Sequence, residues 1–140
     1  MPPAPEVLLF DVGGQRFAVP LGAVREVFNL GPLTPVPTAP GAVAGVTNLR
    51  GQVVPVLDLA LLLEVGLHRL RLGDPAVLVE ADGVRAALLV ERVVGIRRRP
   101  GAGAAPLPEQ PATLLEVAPL LGRITAQLAR GAAGSGSAPC

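Results

Sequence analysis

The chain has 140 residues, a formal net charge of +1 and 2% aromatic residues, none of them Trp or Tyr. A nearly neutral chain of this kind lacks the basic surface and the stacking side chains with which proteins bind nucleic acids. Its length allows one ordinary domain with its own core and excludes two large ones.

Hydrophobic residues make up half of the chain, and the mean hydropathy is +0.52. No stretch reaches the roughly 18 to 20 uninterrupted apolar residues that cross a bilayer. The first residues lack a basic region followed by an apolar one, so no secretory signal is expected. The single cysteine, Cys140, leaves no partner for an intrachain disulfide. These features predict a cytoplasmic protein with no membrane insertion.

Glycine and proline are concentrated in four segments, namely residues 1–5, 31–45, 100–111 and 131–139. We therefore expect a folded domain at residues 6–122 that contains two Pro/Gly loops. A weak helix and a flexible tail are expected at residues 123–140, the helix beginning near Ala118.

The first apolar run, Val7 to Val12, ends at Gly13-Gly14, a dipeptide typical of a two-residue hairpin turn. Residues 16–19 are expected to return beside it as the second strand. Apolar residues then recur at spacings of three and four, at Leu21, Val24, Val27 and Phe28. This spacing predicts one or two turns of helix.

Two more hairpins follow, with turns at Arg50-Gly51 and Asp82-Gly83. Pro55 lies inside the second strand of the first of them, which predicts a sheet edge or a bulge. The remaining elements are a short amphipathic turn at 59–65, a linker at 66–75 and strands at 93–97 and 113–117. Seven or eight short strands with little helix predict an all-β barrel or a pair of small barrels.

Side chains suited to catalysis are scarce. His68 is the single imidazole, and both serines and the cysteine lie in the C-terminal tail. Nucleophilic catalysis is therefore nearly excluded, and the chain supplies two Cys and His ligands where a zinc site needs three or four. No glycine-rich phosphate loop is present. Carboxylate catalysis stays open, but eleven scattered acids are typical of a solvated surface. We predict a binding protein without catalytic residues, cofactor or metal.

Residues 44–59 have the sequence AGVTNLRGQVVPVLDL, which resembles the signature of the CheW-like family, the coupling proteins of bacterial chemotaxis. The flanking motifs agree in order, from the first strand to the hairpin and the following strand at residues 76–96, over roughly residues 6–122. The resemblance implies two intertwined, five-stranded SH3-like barrels with short helices. It also implies a non-catalytic adaptor that joins the cytoplasmic tips of chemoreceptors, the methyl-accepting proteins, to the regulatory domain of a CheA-type histidine kinase.

The same resemblance implies roles for particular residues. Three apolar positions match the lining of the groove between the barrels, where the receptor docks: Val24, Val27 and Ile96. Three positions match the side that meets the kinase: Gly45, Thr47 and Asn48. A carboxylate and a guanidinium match a structural ion pair: Glu26 and Arg50. Purely structural roles stay open for all of them. The three apolar residues are of a type that is commonly part of a core, the kinase-side positions can serve the turn, and the ion pair can be an ordinary surface salt bridge.

Beyond these sets, Asp58 is expected to cap the following helical turn. A basic run at Arg97 to Arg99 is typical of a solvated surface, although acidic receptor residues are possible partners for it. We assign no role to His68 or Cys140.

The chain departs from the family at residues 100–111, which are short and rich in proline. One strand near the C-terminus is therefore expected to be missing, which leaves Thr113–Val117 without a partner and open to self-association by strand addition. The alternative function is a reduced protein that binds receptors but not the kinase and acts as a regulatory or inhibitory module. A small hydrolase and a general binding module for β edges are further alternatives.

Overall fold

The computed structural model describes residues 6–35, 43–65, 73–98 and 112–122. Its strands are β1 Glu6–Val12, β2 Gln15–Pro20, β3 Val24–Asn29, β4 Val43–Leu49, β5 Gln52–Asp58, β6 Pro75–Ala81, β7 Val84–Leu89, β8 Arg92–Arg98 and β9 Thr113–Leu114. A 3-10 turn, Leu21–Ala23, precedes β3, and helix α1, Leu59–Leu63, follows β5. Residues 117–122 are helical. The prediction of a mainly β fold with short helices is confirmed.

The described strands form two sheets, with the orders β8-β1-β2-β9 and β3-β6-β7-β5-β4. The second sheet closes into a barrel because Thr34 pairs with Val46 of β4 through two backbone hydrogen bonds of 2.8 and 2.9 Å. The chain begins in the first barrel, builds the whole second sheet and then returns to the first with β8 and β9. The two barrels are thus intertwined, as expected. Four strands of the first barrel lie within the described residues.

The largest core is shared between the two barrels. Leu8, Phe10 and Val12 of β1 face this shared core, whereas Val7 and Leu9 face the other side of the first sheet. Since β1 is buried on both faces, its sequence is an almost continuous apolar run instead of an alternating one. The shared core also takes side chains from the second sheet and from the residues that directly follow its strands, among them Leu57, Leu59, Val77, Val79, Leu88 and Val90.

A separate core fills the second barrel. Alternate residues of β5 and β6 supply it, because successive side chains of a strand point to opposite faces of the sheet. Its buried members are Leu30, Val54, Val56, Ala76, Leu78, Ala87 and Leu89. The central strands of this barrel therefore separate two apolar interiors, and burial of the shared core holds the two barrels together.

The helix predicted from Leu21 to Phe28 is wrong beyond its first turn, because Val24–Asn29 is strand β3. Its register against β6 shifts between Val24 and Glu26, which leaves Arg25 as an extra residue in a β-bulge. The bulge puts Val24 and Val27 on the same face, three residues apart instead of two. Because residues three apart share a face of a bulged strand, their spacing resembles that of a helix.

Two other expectations need correction. Pro55 does not lie on an edge strand, since β5 runs between β7 and β4. Pairing with β7 begins only at Val56, so the proline occupies a part of β5 with a single neighbouring strand. Thr113–Val117 does not lack a partner, because β9 pairs in parallel with Phe17 and Ala18 of β2. Self-association through this segment stays a prediction, since β9 is an edge strand among the described residues.

Several smaller predictions are confirmed. The three hairpins have their turns at the expected dipeptides. The Asp58 side chain caps α1 by accepting a hydrogen bond of 3.2 Å from the Leu61 amide. Other expectations concern residues outside the described ranges: the linker with His68, the missing strand at 100–111, Arg99, the helix beyond 122 and the tail with Cys140.

The barrels are also joined at the β1–β2 turn. The amide of Gly13 donates a hydrogen bond to a carboxylate oxygen of Glu91, which lies between β7 and β8. The backbone of Gly13 is left-handed, with φ at 59°, and a Cβ there would lie 2.2 Å from the carbonyl oxygen of Val65, just after α1. Only glycine fits this contact between the turn and the end of the helix.

Candidate functional site

The three apolar residues predicted to line a groove lie on strands β3 and β8. Val24 and Val27 of β3 stand opposite Val79 and Val77 of β6, which are members of the shared core. Ile96 of β8 stands opposite Leu8 of β1, another member. Residues directly opposite on neighbouring strands share a face of the sheet. All three predicted groove residues therefore extend the faces that enclose the shared core, and we call them the docking strip.

The docking strip is only partly covered. Val27 is 45% exposed and Ile96 is 50% exposed, whereas Val24 is half-buried and packs against the shared core. Of the two roles that the sequence left open, core and surface, Val27 and Ile96 therefore take the surface one. Completing the burial of either side chain would contribute about 1 kcal/mol, half of the value for a fully buried Val or Ile.

The three residues matched to the kinase side differ in their availability. Thr47 is 4% exposed, and its hydroxyl donates a hydrogen bond of 3.1 Å to the carbonyl of Pro32. Gly45 has a φ of +154°, and a Cβ there would lie 2.7 Å from the carbonyl oxygen of Thr34. Asn48 is exposed, and its side-chain oxygen accepts a hydrogen bond from the Gly51 amide. Gly45 and Thr47 thus serve the closure of the second barrel, and Asn48 braces the β4–β5 turn.

Two exposed apolar residues were missed by the sequence reasoning. Val53 is 69% exposed and stands opposite Asn48, so both lie on one face of the β4–β5 hairpin. Leu61 of α1 is 53% exposed. The available signal was the pair Val53-Val54 in a strand, because alternation requires that one of two successive apolar side chains point away from the barrel core.

Glu26 and Arg50 are brought together. The Arg50 guanidinium donates a hydrogen bond to a carboxylate oxygen of Glu26, and it does so from the β4–β5 turn across to β3. Glu26 stands opposite Leu78, a member of the second-barrel core, so the pair lies at one end of that barrel. The contact spans the gap between β3 and β4, the two end strands of the sheet.

Further polar contacts surround the same end of the barrel. Glu80 of β6 accepts a hydrogen bond of 2.7 Å from Arg25 of β3 and lies 3.3 Å from Arg85 of β7. Arg85 in turn donates a hydrogen bond of 2.9 Å to the side-chain oxygen of Gln52 on β5. The guanidinium of Arg25, with that of Arg85, holds the pKa of the Glu80 carboxyl below its ordinary value.

A second ionic cluster lies in the first barrel, at the end of β1. Asp11 accepts hydrogen bonds of 3.0 Å from Arg16 of β2 and 2.9 Å from Arg92 of β8. The hydrogen bond from Arg16 is the main cause of a pKa for Asp11 below its ordinary value, and Arg92 adds to it. Asp11 thus connects β2 and β8, the two strands that flank β1. Arg98, at the far end of β8, is exposed.

Neither a metal centre nor a membrane span emerges from the described ranges. They hold no group of three or more His, Cys, Asp or Glu side chains arranged to bind a metal ion. None of their helices has the length and apolar character needed to cross a bilayer. The large apolar side chains that are exposed in this part of the chain are Val27, Val53, Leu61 and Ile96.

Comparison with known proteins agrees with this description. Residues 6–125 match the model of the CheW-like domain. Protein FrzA of Myxococcus xanthus is 38% identical over 106 residues, which cover 76% of this chain and 66% of that protein. The chemotaxis protein CheW of Rhizobium meliloti is 36% identical over 91 residues, which cover 65% and 59%. The chain thus spans about three fifths to two thirds of the length of these relatives.

The fold has a counterpart among solved structures. The scaffolding protein TtCheW from Thermoanaerobacter tengcongensis superposes with a TM-score of 0.66 at 23% identity, covering 79% of this chain and 76% of that one. This likeness establishes the two-barrel fold, and the domain match covers most of the sequence. The chain belongs to the CheW-like family.

Proposed function

We propose that this chain is a non-catalytic adaptor of chemotaxis signalling, which couples the cytoplasmic tips of chemoreceptors to the regulatory domain of a CheA-type histidine kinase. The observation that carries the proposal is the exposure of Val27 and Ile96 on the faces that enclose the shared core. We assign the adaptor function to residues 6–122. Since the proposed partners are cytoplasmic, so is the protein.

The receptor side of the proposal is the docking strip. A helical receptor tip would lay its apolar face against Val27 and Ile96, a mode of recognition in which a few buried side chains supply most of the energy. Within the docking strip, Val24 anchors β3, because it packs against the shared core. Exposed Arg98, two residues beyond Ile96, gives the same region a positive charge for acidic residues of the partner.

The kinase side of the proposal is the outer face of the β4–β5 hairpin, where Asn48 and Val53 are exposed together. Gly45 and Thr47 act there through the shape of the hairpin, since both are engaged with residues 32–34. Glu26 and Arg50 hold the hairpin turn to β3 and so fix the two surfaces relative to each other.

Separate titrations with a receptor tip and with a kinase regulatory domain test the proposal. Val27→Glu is expected to weaken receptor binding at least about tenfold, which corresponds to ~1.4 kcal/mol, because it places a charge in an apolar contact. Leu61→Glu is the matched control, since it puts the same charge on an equally exposed apolar residue of α1. If the wild-type protein binds neither partner, or if both variants bind the receptor tip equally, the proposal fails.

A specific observation favours one alternative, a shortened CheW-like protein that binds receptors but not the kinase. Two of the three residues matched to the kinase side, Gly45 and Thr47, are engaged within the chain. Kinase activity in reconstituted receptor arrays separates the two functions. A coupling adaptor raises this activity as it is added, whereas an inhibitory module lowers it or leaves it unchanged.

A further inference from the structure

We propose that the polar contacts at the end of the second barrel form one closed ring, and that Glu80 is a positioning residue through which β3 and the β4–β5 turn are held in a fixed arrangement. The inference rests on the proposed function only where it concerns partner binding. The ring itself is a property of the fold.

The geometry of the ring follows from the sheet order. Side-chain contacts join β3 to β6 through Arg25 and Glu80, β6 to β7 through Glu80 and Arg85, and β7 to β5 through Arg85 and Gln52. The contact between Arg50 and Glu26 then joins the β4–β5 turn to β3. The chain itself completes the circuit, because Arg25 precedes Glu26 and Arg50 lies two residues before Gln52.

The register places these residues at the same end of the barrel. Glu80 follows Leu78 by two residues, Gln52 precedes Val54 by two, and Leu78 and Val54 are members of the second-barrel core. Alternation therefore directs Glu80 and Gln52 to the inner face, at the barrel rim. Each contact bridges neighbouring strands in the order β3-β6-β7-β5, and the last one spans the two ends of the sheet. The side chains thus close this rim, while the Thr34–Val46 pair closes the barrel further along β4.

Glu80 has a particular place in the ring because its carboxylate forms ion pairs with two arginines on different strands. Its contact with Arg25 lies at the β-bulge of β3. This bulge places Val24 and Val27 on the same face of the sheet. Glu80 itself lies on the opposite face of the sheet from Val27, because Val27 stands opposite Val77. Substitution of Glu80 would therefore weaken the binding of a partner at the docking strip through a shift of β3, and not through the loss of a direct contact.

Hydrogen exchange at the Gly51 amide tests the ring without any partner. This amide donates a hydrogen bond to the side chain of Asn48 inside the β4–β5 turn. Glu80 has its ion pairs with Arg25 and Arg85, so a substitution of Glu80 acts on this amide from a distance. Glu80→Gln is expected to speed exchange at Gly51 about two- to fivefold, the effect of losing one exposed ion pair transmitted around the ring. Arg85→Gln opens the ring at another link and is expected to give the same increase. Glu116→Gln, the same chemical change at an exposed position outside the ring, is expected to leave Gly51 exchange unchanged.

A second measurement concerns the positioning role. Glu80→Gln is expected to weaken binding of a receptor-tip helical hairpin about threefold, with exchange of the shared-core amides unchanged. If Gly51 exchange in Glu80→Gln and Arg85→Gln equals that of Glu116→Gln, the contacts are independent pairs and the ring is refuted. If exchange responds but receptor binding by the variant equals that of the wild type, the positioning role is refuted. A wild-type protein that does not bind the receptor tip refutes the proposed function and, with it, the positioning role, whereas the ring is still judged by exchange.

Discussion

Replacing Gly13 with alanine is expected to loosen the joint between the two barrels. The added methyl group would lie 2.2 Å from the carbonyl oxygen and 2.6 Å from the carbonyl carbon of Val65. Both are backbone atoms, so neither can rotate away as the end of a flexible side chain does. The turn would have to move from the end of α1, and the hydrogen bond from the Gly13 amide to Glu91 would move with it.

The cost has two parts that a control separates. A left-handed backbone costs an alanine roughly 1 to 2 kcal/mol, and forcing a methyl group into a filled contact costs roughly 1 to 3 kcal/mol more. Gly14 has a φ of 76° but nothing within 4 Å of its added Cβ, so Gly14→Ala meets only the first cost. We expect Gly13→Ala to lower the free energy of unfolding by about 2 to 5 kcal/mol, and Gly14→Ala by about 1 to 2 kcal/mol.

Urea unfolding followed by far-UV circular dichroism measures both variants, and it suits a chain that has neither Trp nor Tyr. The slope with urea should not change, since both variants expose the same surface on unfolding. Equal midpoints for the two variants would refute the reasoning, because the Val65 contact would then contribute nothing to stability.

Three further predictions concern the ion pairs and the barrel closure. Arg50→Ala is expected to weaken partner recruitment in a pull-down roughly threefold more than Arg98→Ala, because it removes a guanidinium fixed on Glu26 and not a solvated one; equal losses would contradict this ranking. Asp11→Asn is expected to lower the unfolding free energy by about 1 kcal/mol at pH 7. The lowered pKa of this carboxyl contributes stability that is fully present above its ordinary value of 3.8, so in urea titrations the difference from wild type should shrink as the pH falls below 3.8 and be lost below the lowered pKa. Thr47→Val is expected to cost about 1 to 2 kcal/mol by calorimetry, because it leaves a carbonyl near the barrel closure without its donor; an unchanged melting temperature would show that water replaces the hydroxyl.

Much of the fold could be predicted from local signals. Hairpin dipeptides and short Val- and Leu-rich runs are set by backbone geometry within a few residues, and the three hairpins formed as expected. The strand at Val24–Asn29 could not be predicted in this way. Its bulge lies at Arg25, which has no register partner on β6, a strand that lies some fifty residues later in the sequence. The apolar spacing alone therefore indicated the wrong element.

The candidate site was likewise predictable from the sequence only in part. The positions of Val27 and Ile96 were expected from the resemblance, but their exposure depends on where the shared core ends, which only the packing of the two sheets decides. Glu80 and Arg85 carry no motif in the sequence. They become part of the site because four strands bring their side chains to one rim. Contacts of this kind depend on tertiary structure, so single-residue patterns do not reveal them.

The path of the chain through the two barrels has a consequence for synthesis. Leu8 finds its neighbour on one side in Val19 and on the other in Ile96. On the ribosome, the β1–β2 hairpin therefore emerges before β8, and one apolar edge of β1 is uncovered until β8 has been made. Such long-range pairing slows folding and exposes nascent protein to aggregation. We expect chaperone dependence in the cell to be governed by this uncovered hairpin edge and to be relieved by a circular permutation that starts the chain at β8, so that β8 and β9 are made before β1.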